Sequence, residues 1–105
     1  MNKSEITKMK AKLAGLQNSL SEIGPVMRGS VVVIGTKNKQ PYFSLNKNKK
    51  TKLIYLGKKR ESVAKEYSNN HKMLLEIIEE MTSINMELLK NNAVELSSEK
   101  KWSLR

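Results

Sequence analysis

The sequence predicts an α+β fold of order α-β-β-β-α. In this fold two long helices form an antiparallel, coiled-coil-like pair, with a small three-stranded antiparallel sheet at one end. Three observations carry the prediction. Apolar residues near both ends of the chain recur at heptad spacing. The middle alternates short β-rich runs with glycine and proline. The length of 105 residues, 38% of them hydrophobic and 5% aromatic, suits one lightly cored domain of elongated or paired shape.

In the first segment Ile6, Met9, Leu13, Leu16, Leu20 and Ile23 are three and four residues apart, with Lys8, Lys10, Lys12, Gln17 and Asn18 off that seam. Ser4 is the expected N-cap. Gly24-Pro25 is the expected stop, glycine taking a left-handed cap and proline being unable to continue a helix. Three strands follow, at Ser30–Ile34, Tyr42–Asn46 and Thr51–Leu56, joined by short connections that favour an antiparallel meander. The last helix is expected over Glu61 to Asn91. Tyr67, Leu74, Met81 and Leu88 repeat every seven residues, Ile77 and Ile84 fall between them, and Leu75, Ile78 and Leu89 widen the apolar face. The domain is thus placed at residues 1–92, with 93–105 a weakly structured C-terminal tail in which Trp102 docks within the chain or on a partner.

Charge is distributed unevenly. Residues 24–60 hold ten Lys and Arg and no acid, whereas the segments before and after carry +2 and −2, so the whole net charge of +10 resides in the middle third. A field of that sign makes a polyanionic partner the first expectation. If Asn48-Lys49 is a hairpin turn, Tyr42 faces Tyr55, Ser44 faces Leu53 and Asn46 faces Thr51. Phe43, Leu45, Ile54 and Leu56 then point to the core. Meander geometry gathers Lys37, Lys39, Lys58, Lys59 and Arg60 at one end of the sheet. It gathers Lys47, Lys49 and Lys50 with Arg28 at the other, ~17–20 Å away for strands of five or six residues. With Lys52, these cations and the tyrosines Tyr42 and Tyr55 form the candidate nucleic-acid-binding set, suited to phosphates, sugars and stacked bases. Lysines are also common in turns, and tyrosines half-bury on sheets.

Other classes find less support. The absence of cysteine excludes disulfides and thiolate metal sites. The single histidine, His71, lies beside the apolar stripe as a partly buried structural residue, and Glu76, Glu79 and Glu80 read as a solvated helix face. With no nucleophile–base pair, phosphate-cradling loop or metal-ligand set, no catalytic residue, metal or cofactor is expected. No membrane span or secretory signal is seen, and a cytoplasmic location is expected.

The runs Ile23-Gly-Pro-Val-Met-Arg-Gly-Ser-Val31, Pro41-Tyr-Phe-Ser-Leu45, Leu53-Ile-Tyr-Leu-Gly57 and Glu80-Met-Thr-Ser-Ile-Asn-Met-Glu-Leu-Leu-Lys90 resemble, from about Leu16 to Lys90, a family of small basic prokaryotic proteins often encoded near transposases and other mobile-element genes. Many of its members carry a cysteine-rich insertion between the first two strands. Here that stretch is the short, cysteine-free Gly35-Thr-Lys-Asn-Lys-Gln40, so no metal role carries over. The resemblance implies the same fold and a mobile-element or phage context, and it supplies no activity.

The leading expectation is therefore a non-catalytic nucleic-acid-binding accessory protein, with DNA ahead of RNA and a transposase, phage or other nucleoprotein complex as its setting. A ribosome-associated or RNA-chaperone role differs only in the nucleic acid. The alternative is a helical protein-interaction module, an adaptor or inhibitor that docks through the wide face of the last helix. That face also makes a homodimer the expected oligomeric state.

Overall fold

The computed structural model describes residues 2–93; the rest of the expected tail, Trp102 included, lies outside them. The elements are α1 (Lys3–Ser21), β1 (Ser30–Ile34), β2 (Gln40–Lys47), β3 (Lys50–Tyr55) and α2 (Gly57–Lys90), in the order the sequence predicts. The strands form a small open antiparallel sheet, β1-β2-β3.

Local chemistry explains where the helices begin and end. Asn2, rather than Ser4, caps α1. Its side chain accepts from the Glu5 amide at 2.8 Å and the Glu5 carboxylate accepts from the Asn2 amide at 3.0 Å, a reciprocal box that Ser4, with Thr7 three residues on, lacks the acid to make. At the other end α1 stops at Ser21, and Gly24 does not take a positive φ. Pro25 disfavours helical and left-handed geometry in the residue before it, so the chain leaves the helix extended. Helix α2 begins four residues earlier than the periodicity implied, because Gly57 at φ 69 lets the chain turn directly from β3 into the helix.

The two connections between strands differ. Gly35 (φ 128) turns the chain after β1, and a Cβ there would clash with the Asn38 carbonyl oxygen. Between β2 and β3 only Asn48 and Lys49 intervene, with φ 54 and 64, the paired positive values of a type I′ hairpin. The turn falls at the expected Asn48-Lys49, and the strands run one residue closer to it on each side than expected, to Lys47 and from Lys50. Its register is the expected one, with Tyr42 opposite Tyr55, Ser44 opposite Leu53 and Asn46 opposite Thr51.

The molecule is a rod of 62 × 32 × 19 Å. Its radius of gyration is 19.9 Å, against ~13 Å for a compact chain of this length. The N-terminal part of α2 crosses the sheet from Pro41 to the start of β1. There the Ser68 hydroxyl donates to the Gly29 carbonyl at 2.8 Å and the Met27 amide donates to the Tyr67 carbonyl at 3.2 Å. Phe43, Leu56 and Ala64 form the core at this crossing, supported by Met27, Val31 and Leu45. Further along α2, helix α1 returns antiparallel, with Lys12 3.1 Å from Glu80. The seam residues of both helices are half-buried, except Leu88, which is 2% exposed. A pair of helices encloses each seam side chain from one side only, which leaves the rest open.

Candidate nucleic-acid interface

Strand alternation divides the sheet into two chemically different faces. The open face carries Tyr42, Tyr55, Ser44, Asn46, Thr51 and Leu53. The tyrosine rings meet edge to face with centroids 5.5 Å apart, and the Tyr55 hydroxyl donates to the Gln40 side-chain oxygen at 3.0 Å. The Thr51 hydroxyl donates to the Asn46 side-chain oxygen at 2.6 Å. These bonds hold a polar, aromatic surface in one conformation, so its contact with a sugar or base would cost little side-chain entropy.

The opposite face is covered by α2 over β1 and β2 only. Beyond that cover lies β3, where Ile54, expected in the core, is 56% exposed. The uncovered strip is an open hollow of ≈ 510 Å³ lined by Met27, Phe43, Leu45 and Ile54 and by the cations Arg28, Lys47 and Lys52. Arg28 is fixed there by donating from Nη1 to the Asn46 carbonyl at 3.0 Å. Lys50, opposite Lys47 in the ladder, shares this side of the sheet. The hollow had not been anticipated from the sequence. The register contained one sign of it, because Lys52 stands opposite Leu45 and thus on the helix side of the sheet, across from the tyrosines.

The candidate residues therefore form three groups. Arg28, Lys47, Lys50 and Lys52, with Lys49 in the turn, surround the hairpin end. Tyr42 and Tyr55 occupy the open face. At the other end are Lys37 and Lys39 in the loop after β1, and Lys58, Lys59 and Arg60 in the first turn of α2. The eight residues of β2 place the two ends ~23 Å apart, further than the 17–20 Å drawn from shorter strands. Arg60 is committed to the fold, since its guanidinium donates to the Leu56 and Tyr55 carbonyls at 2.9 Å each. The α2 N-terminus has no side-chain cap and no acid in its first turn, so helix polarity adds to the positive field of these cations.

All ten cations of residues 24–60 are exposed. Among the described residues the ion pairs are Lys12–Glu80 and Lys65–Glu61, both outside this segment. No group of three or more metal-ligating side chains occurs among the described residues, and no helix there is long and apolar enough to cross a membrane. His71 is half-buried on α2. No protein-family model, curated protein or solved structure matches the chain, so the functional reading rests on this geometry.

Proposed function

We propose that the protein is a non-catalytic nucleic-acid-binding accessory factor that grips a phosphate backbone with the basic end of its rod. The reading is carried by ten exposed cations that have no carboxylate partner among the described residues and that flank a sheet bearing ordered tyrosines. Folding such a field costs self-repulsion, which a polyanion relieves by displacing its own counterions. Two clusters ~23 Å apart reach phosphates on both sides of a groove or along one strand. The tyrosine face and the apolar hollow offer platforms for sugars and unstacked bases. No recognisable base-reading motif is present, so binding is expected to be sequence-independent and to weaken steeply with salt.

The test is binding to labelled single-stranded DNA, duplex DNA and RNA across a salt series, for wild type and for the Lys47→Glu, Lys49→Glu, Lys50→Glu, Lys52→Glu variant. Submicromolar binding that the variant loses, with helicity unchanged, supports the proposal. Binding retained by the variant, or none by wild type at low salt, refutes it.

A protein-docking role is favoured by a separate observation. Leu75, Ile78, Met86 and Leu89 are exposed on α2, away from the seam with α1.

A further inference from the structure

On α2 the residues Ala64, Ser68, His71, Leu75, Ile78, Thr82, Met86 and Leu89 succeed one another at steps of three or four and so share one face. The sheet buries the first part of this row, leaving Ala64 3% and Ser68 7% exposed. Beyond the sheet the same row continues uncovered, with Leu75, Ile78, Met86 and Leu89 exposed by 43–65%. Helix α1 does not reach it, because the seam of Leu74, Ile77, Met81, Ile84 and Leu88 lies about a third of a turn around the helix.

The uncovered row has an internal symmetry. Leu75, Ile78, Thr82, Met86 and Leu89 are separated by steps of 3, 4, 4 and 3, so the row reads the same in both directions about Thr82. A two-fold, antiparallel pairing requires such self-complementarity. We propose that the occupant of this face is a second copy of the chain, with α2 packed antiparallel on α2 and Thr82 beside the axis. Leu75 then meets Leu89 of the second copy, and Ile78 meets Met86 of the second copy. The central Thr82 hydroxyl donates to the Ile78 carbonyl of its own helix at 2.7 Å, so its burial leaves no unmet donor. On the flank Lys90 comes across from Glu76 of the second copy, adding attraction of opposite charges. Ala64, beneath the sheet, lies 18 residues from Thr82, or ~27 Å along the helix, so the dimer carries its two basic sheets ~54 Å apart at opposite ends.

Four large apolar side chains per protomer make a contact below the standard size, with a dissociation constant expected on the order of tens of micromolar. Sedimentation equilibrium up to several hundred micromolar should reach twice the monomer mass, and Ile78→Glu should return it to monomer with helicity kept. The chain has no cysteine, so single cysteines report the geometry. Oxidised Thr82→Cys should cross-link far faster than exposed Ser19→Cys on α1. A mixture of Leu75→Cys and Leu89→Cys should cross-link, while Leu75→Cys alone should not. A monomer throughout, a dimer indifferent to Ile78→Glu, or Leu75→Cys joining to itself would each overturn the proposal. None of these readouts involves nucleic acid, so the dimer and the binding function stand or fall separately.

Discussion

Lys50→Glu should make the protein more stable and a weaker binder at once. Lys47 and Lys50 face each other directly across the I′ turn, and like charges so placed are destabilising. Both are exposed and neither takes part in an ion pair among the described residues, so the replacement disturbs no packing. Exchanging repulsion for attraction at an exposed cross-strand pair is worth about 0.5 kcal/mol, a discounted value because solvent screens it. For a domain of this size that raises Tm by ~2–4 °C. The same change lowers the net charge from +10 to +8 and puts an acid where a phosphate contact is proposed. The slope of log K against log salt should fall in magnitude by ~1–2, with affinity down about tenfold near 0.1 M salt. Thermal melts by circular dichroism and a fluorescence-anisotropy salt series measure the two quantities independently. Unchanged affinity and slope at a raised Tm would remove the hairpin from the interface. A lowered Tm would show that the cross-strand argument is wrong.

Lys49→Gly, which creates the Asn-Gly pair favoured by a type I′ turn, should stabilise the fold by about 1 kcal/mol by relieving a lysine at φ 64, as read by urea denaturation. Gly29→Ala should do the reverse: at φ 138 its Cβ would lie 2.6 Å from the Ser44 carbonyl oxygen and 2.7 Å from the Phe43 ring, so a loss of ~3 kcal/mol or more is expected in the same assay. Ser68→Ala removes the bond between α2 and the start of β1 and strands the Gly29 carbonyl; a loss of ~1–2 kcal/mol is expected, and a neutral result would mean that water replaces the hydroxyl. Leu88→Ala, at a 2% exposed site near the far end of α2, should cost ~2–4 kcal/mol and leave nucleic-acid affinity unaltered, because the site is remote from the sheet.

Much of this architecture is a consequence of local pattern. Apolar spacing of three and four residues makes helices of both terminal segments, and the alternation around Phe43 and Ile54 sets both the strands and their register, because a one-residue slip would expose Phe43. The concentration of cations between Arg28 and Arg60 is also local, since it follows from composition alone. Boundaries were less legible. The cap at Asn2 and the turn into α2 at Gly57 depend on single backbone geometries that periodicity does not encode, whereas the turn at Asn48-Lys49 was legible from the strand pattern around it. What the tertiary structure decided is coverage. Apart from Lys52 opposite Leu45, nothing in the pattern of β3 tells that α2 covers only β1 and β2, so that Ile54 and Lys52 open into a hollow instead of closing a core. Nor does the apolar row on α2 reveal that the sheet buries Ala64 and Ser68 and leaves Leu75 to Leu89 bare. A side chain's tendency to leave water is written in its chemistry, whereas the neighbour that removes it from water depends on where a long rigid helix extends past a short sheet.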